Sequence, residues 1–171
     1  MSYFNQFGTI LYDPAGDGSA KLCTDIMSRV RVRANMKKEI VMLDPYDVKE
    51  NETPEIVADK HHGSPYYHWV VMLLNDISDV NHDWVKSTRQ LQKYLLTKYT
   101  ETQLTETHHY EISQTSGDTT TMIEVENTTY PSATAVTNYE YEVALNEEKR
   151  SIDLLRNEYL GYFTEEFSDL I

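Results

Sequence analysis

The chain has 171 residues and a formal charge of −13, long enough for one domain with a modest core or a small core with extensions. The acidic balance argues against general nucleic-acid binding, because phosphate affinity needs a basic surface. Cys23 is the one cysteine, so neither an intrachain disulfide nor a thiolate metal cluster can form.

The opening residues MSYFNQFGTI have no basic region followed by a long apolar run, so no secretory signal is expected. Nothing later reaches the apolar length of a membrane span. A soluble protein made in the cytosol is therefore expected. Residues 1–22 show no sustained period. Phe4, Phe7, Ile10, Leu11 and Tyr12 precede a turn-forming Asp13-Pro14-Ala15-Gly16-Asp17-Gly18, as in an arm that orders against a neighbour. From Thr24 or Asp25 two readings stay open. A helix could run through Ile26, Met27, Val30 and Met36, while Arg29-Val30-Arg31-Val32-Arg33 alternates as a strand would. Lys21, Arg29, Arg31, Arg33, Lys37 and Lys38 make this the basic region of the chain, read as a charged docking surface.

Residues 39–48 read as a strand, with Asp44-Pro45 as a break or an edge position. Thr53 then caps a short helix opened by Pro54 and closed by Gly63. Ser64 and Pro65 restart the pattern, and Trp69 to Leu74 form a helix apolar nearly all round, hence buried. Asn75-Asp76 closes it. Tyr46, Ile56, Val57, Gly63, Trp69, Leu73 and Asn75 are the expected structural core. Past a polar loop come Trp84-Val85, with room for a short strand, and a helix capped by Ser87 or Thr88 that carries Leu91, Tyr94, Leu95 and Lys98.

From Thr100 the composition turns to Thr, Glu, His and Tyr. His108–Gln114 and Thr120–Glu126 alternate around Ser116-Gly117-Asp118, predicting a projecting two-stranded hairpin; residues 128–137 follow as a connector. A single acidic amphipathic helix is predicted from about Asn138 to the end, bent or weakened at Gly161. Its apolar stripe is read as larger than one chain can cover, so Ile152, Leu155, Tyr159, Tyr162 and Phe163 are the expected partner-binding residues. The chain's 13 tyrosines suit either protein interfaces or ordinary core and strand positions.

The run from Tyr46-x-Val48 through Glu52-Thr53, Gly63-Ser64-Pro65, Tyr67, Trp69-Val70 and Asn75-Asp76-Ile77 resembles a LysM module. More narrowly, it resembles the small baseplate wedge subunit of T4-like, contractile-tailed bacteriophages. Thr24-Asp25-Ile26, Trp84 and the charged helix near Asn146-Glu147-Glu148-Lys149 extend the likeness over most of the chain, except about Thr100 to Thr137. The resemblance tips residues 25–38 toward helix. A standard LysM module closes with a second strand straight after its second helix, and none is legible there.

These readings predict an α+β fold: a small LysM-like strand-helix-helix core with an N-terminal arm, a β-hairpin and a long C-terminal helix. The expected segments are 1–38, 39–99, 100–137 and 138–171. No active site is legible. His61-His62 with His68 lack the spacing of a metal set, His108-His109 face opposite sides of a strand, and there is no P-loop, Rossmann or nucleophile-elbow pattern. Neither cofactor nor metal is expected. The resemblance implies a structural, non-enzymatic adaptor or clamp between neighbouring wedge proteins around the tail tube. Its partners are then other baseplate and tail proteins in a multi-copy hetero-oligomer, with no nucleic acid and no membrane. The expected location is the virion baseplate, assembled in the host cytoplasm. The alternative is a peptidoglycan-binding LysM module using Asn51-Glu52-Thr53 and residues 75–78, and a hydrolase is a third, weaker class.

Overall fold

The computed structural model describes residues 3–28, 31–32 and 40–171. Two compact units result: residues up to Trp84 together with Ser151–Ile171, and Val85–Arg150. The chain therefore divides differently from the four segments read from composition, because its end returns to complete the first unit.

In the first unit a 3-10 turn over Tyr3–Gln6 leads into β1 (Thr9–Tyr12), which pairs antiparallel with β2 (Lys21–Thr24) in the register Leu11 to Leu22. Their connecting loop is held by the Asp13 carboxylate, which accepts the N–H groups of Ala15, Gly16 and Gly18. Thr24 ends a strand and Asp25–Met27 turn, with Asp25 Oδ1 accepting the Met27 N–H. No helix starts at Thr24 or Asp25, because the Asp25 side chain closes a local turn instead of capping one. Residues 29–30 and 33–39, and with them most of the basic stretch, lie outside the described residues.

The expected strand over 39–48 is narrower: a 3-10 turn at Ile40–Met42, then β3 (Leu43–Asp47). α1 (Pro54–His62) follows its signals closely. The Thr53 hydroxyl accepts the Ile56 N–H, Pro54 opens the helix, and Gly63 closes it at φ 73 with its N–H bonded to Asp59. Pro65–Tyr67 form one 3-10 turn and α2 (His68–Leu74) buries Trp69, Val70, Val71 and Leu74. A short helix, α3 (Val80–Asp83), precedes Trp84 and has Asp79 as its cap; no strand forms at Trp84-Val85.

The strand closing this unit is β7 (Ser151–Leu155), which pairs antiparallel with β3 from Leu43–Leu155 to Asp47–Ser151. The single helix expected over 138–171 is therefore corrected. It is α6 (Asn138–Glu148), then β7, then α7 (Asn157–Leu170). Ile152 and Leu154 are buried while Ser151 and Asp153 are exposed, a two-residue period embedded in spacings that also fit a helix. α7 lays Phe163 and Phe167 onto Trp69, with ring centroids 6.1 and 4.5 Å away, and Tyr3 and Phe7 join the same aromatic cluster. The helix continues through Gly161, where an added Cβ would meet open space.

In the second unit α4 (Thr88–Lys98) starts at a capping box of Ser87 and Gln90, and α5 (Glu101–Leu104) repeats the device with Thr100 and Gln103. β4 (Thr107–Ser116) and β5 (Thr119–Val125) form the expected hairpin, turning at Gly117 with φ 61. The connector contains a further strand, β6 (Thr134–Thr137), on the other side of β4, so the hairpin is part of a three-stranded sheet ordered β5-β4-β6. α6 follows directly, capped by Thr137 and Glu140. Its buried Glu142 accepts from Lys98 Nζ and the Tyr99 hydroxyl, and hydrogen bonding to Glu142 holds the Lys98 ammonium above its ordinary range.

Candidate functional site

Among the described residues no constellation converges as a catalytic centre would. The most ordered polar chemistry lies at the mouth of the strand-helix-helix-strand layer. There Asn51 takes a left-handed φ of 64, turning the chain so that Glu52 points inward. One Glu52 carboxylate oxygen accepts the Tyr46 hydroxyl and the Lys49 N–H, both at 2.8 Å, and the other accepts Lys60 Nζ. The Glu52 carbonyl accepts Trp84 Nε1–H at 2.8 Å. Burial pushes the Glu52 carboxyl up, but the hydrogen bonds from Lys60, Lys49 and Tyr46 outweigh it and leave it below the ordinary value. Burial and then the Glu52 contact push Tyr46 up to about 12. All these groups are spent on one another, so the node fixes the loop between β3 and α1.

Asn75 closes the other end. Its amide donates to the carbonyls of Val71 and Asp153, and its side-chain oxygen accepts the Asp153 N–H at 2.9 Å. One side chain thus pairs with β7 as a strand would and ties it to the end of α2. The histidines are distributed as structural groups. His61 Nε2 bonds the Leu155 carbonyl, His62 Nδ1 bonds Asn157 Oδ1, and His68 Nδ1 bonds the Pro65 carbonyl. His62 Nε2 is buried without a hydrogen-bond partner, and burial leads the causes that lower its pKa. His108 stacks on Tyr141 at 3.9 Å, and its Nδ1 meets that of His109, whose Nε2 reaches Glu111. Among the described residues no three His, Cys, Asp or Glu side chains are placed to hold a metal ion.

The surfaces open to a partner lie elsewhere. Every residue of β1 and β2 is exposed, with the Leu11–Leu22 pair 73% and 69% accessible. A two-stranded ribbon with uncovered apolar side chains is marginal alone. In the same unit, Tyr3, Phe4, His68, Trp69, Met72 and Leu73 line a groove of about 560 Å³.

The five expected partner-binding residues separate in the structure. Ile152, Leu155 and Phe163 are buried inside the first unit, Tyr159 is half-buried against its core, and Tyr162 is 74% exposed. Leu155 and Phe163 are covered within the chain itself, by Phe7, Leu43, Trp69 and Val70. Of the expected core, Val57 and Trp69 are buried, Tyr46, Leu73 and Asn75 are partly buried, and Gly63 is an exposed helix end. Ile56 is corrected: it is 41% exposed on the outer side of α1, because the inward positions there are Val57 and Ala58. Phe7, Leu154 and Phe167 were missed. Their signal is the alternation of residues 151–154 and the four-residue step from Phe163 to Phe167.

A family model described as "Base plate wedge protein 53" matches residues 22–132. No curated protein matches the chain. The matched stretch takes in β2 through β5 and ends before β6, β7 and α7.

Proposed function

Because the chain belongs to the base plate wedge protein 53 family, we propose that within the phage tail baseplate it acts as an adaptor or clamp. It would hold neighbouring wedge proteins together around the tail tube of a T4-like contractile tail. The family match carries this reading, since it makes the chain a structural protein of the virion baseplate with other baseplate proteins as its neighbours. The clamp role is supported by two compact units in one chain, each able to take a different neighbour. It is also supported by the exposed β1–β2 ribbon and by the aromatic groove of the same unit. Of the five expected partner-binding residues, Tyr162 is the exposed one, and Leu170 near the chain end is exposed as well.

The first unit is read here as a LysM-like module whose closing strand, β7, is separated from α2 by the whole second unit. In this reading the module is scaffold. The two loops that would face a sugar have their polar groups engaged internally, Glu52 by Tyr46, Lys49 and Lys60, and Asn75 by Val71 and Asp153. The test is co-expression with the other wedge proteins of its phage. The chain is expected to co-purify with at least two of them at once, and co-purification with one alone would leave no clamp. Leu11→Lys with Leu22→Asp, a cross-strand pair of opposite charge on an exposed ribbon, is expected to remove one of those partners.

A further inference from the structure

We propose that the outer edge of β5 is an assembly surface that takes one extended segment of a neighbouring protein as a fourth strand, and that this segment carries a lysine or arginine opposite Glu124. That the neighbour is a baseplate protein rests on the reading above; the edge and its chemistry do not.

The sheet order is β5-β4-β6, so among the described residues nothing pairs with the outer side of β5. Edges left open invite another strand, and proteins usually blunt them with lysine, proline, bulges or brevity. The opposite edge is blunted: β6 has four residues, its register with β4 is irregular, and Pro131 lies just before it. β5 has none of these devices. Its seven residues, Thr-Thr-Thr-Met-Ile-Glu-Val, pair with β4 without a register shift and favour extended backbone. Six of the seven are exposed, including Met122 at 52%.

The side chains say what kind of strand fits. On one face Tyr110 pairs with Val125 and Ile112 with Ile123, giving an apolar row that apolar side chains on an added strand would extend. On the other face Glu111 and Glu124 stand directly opposite each other, an arrangement that destabilises a ladder. Glu111 has His109 Nε2 as its partner at 2.7 Å, whereas Glu124 has no hydrogen-bond or ion-pair partner among the described residues. A cation on the next strand would sit beside Glu124 and relieve the clash. The pattern required is therefore alternating, apolar on one face, with Lys or Arg on the other. Added strands of this kind are held by main-chain hydrogen bonds and selected by alternate side chains.

The test uses the full chain and an acetylated heptapeptide, Val-Lys-Val-Thr-Val-Thr-Thr, with its Val-Glu-Val counterpart as control. Amide hydrogen exchange is expected to show β5 protected by the lysine peptide. Its binding is expected to be about two- to fivefold tighter than that of the glutamate peptide, the size of one cross-strand charge pair. Glu124→Lys, an exposed change, is expected to invert that preference. Protection by neither peptide, or protection with no preference that Glu124→Lys inverts, would overturn the proposal. So would sedimentation showing the edge already occupied by a second copy of the chain. Because no baseplate protein enters the experiment, its outcome is independent of the clamp reading.

Discussion

Ending the chain at Arg150 removes β7 and α7, and the structure makes the consequence large. Ile152, Leu154, Leu155, Phe163 and Phe167 are all buried in the first unit. At about 1.5–3 kcal/mol for each fully buried side chain, their loss forfeits on the order of 7–15 kcal/mol. That spans the whole stability of a typical domain, about 5–15 kcal/mol, before the opposing gain in chain entropy is counted. The loss also uncovers Trp69, Leu43 and Val70, which cluster with Leu155, Phe163 and Phe167. The shortened chain is thus expected to lose the cooperative melt of its first unit and to show Trp69 fluorescence shifted toward that of solvent-exposed indole. Leu154→Ala is the graded version, expected to cost about 2–5 kcal/mol. A truncated chain that melts cooperatively with Trp69 still shielded, read in a Trp84→Phe background, would refute the assignment of β7 as the closing strand. It would restore the view of this region as an independent docking helix.

Asn75→Ala removes the two hydrogen bonds that tie β7 to the end of α2 and a third to the Val71 carbonyl, and about 1–3 kcal/mol of stability is expected to go with them, read from the urea midpoint. His62 gives a pH signature. Its folded pKa lies below the ordinary 6.5, so the unfolded chain binds the proton more readily and this contribution is complete above that value. It is lost as pH falls from there through the folded pKa; urea midpoints between pH 7.5 and 5.5 should fall less in His62→Gln than in the unsubstituted chain. Titration calorimetry with chitin oligosaccharides or peptidoglycan fragments is expected to give no saturable heat, and micromolar binding lost on Asn51→Ala would revive the carbohydrate reading.

Local chemistry was legible where a single side chain decides the outcome. Thr53, Pro54 and Gly63 mark both ends of α1, and Ser116-Gly117-Asp118 marks the turn between β4 and β5. The apolar run from Trp69 announced a buried helix, and its neighbours within the first unit bear this out. What was not legible is pairing at long range. β3 finds β7 more than a hundred residues later, and Ser-Ile-Asp-Leu-Leu fits a strand and a helix stripe equally until its partner is known. β6 has only four residues, too few for a period to register. The docking residues failed for the same reason. Leu155 and Phe163 looked uncovered because the surfaces that cover them, from Phe7, Leu43 and Trp69, lie far away in sequence.

The central claim is that this family member joins wedge proteins to one another rather than decorating one of them. Native mass spectrometry of the wedge proteins, co-expressed with and without the chain, addresses it directly. The account predicts a complex holding the chain and at least two other wedge proteins, which falls apart into smaller assemblies when the chain is omitted. The same complex forming at equal abundance without the chain would contradict it.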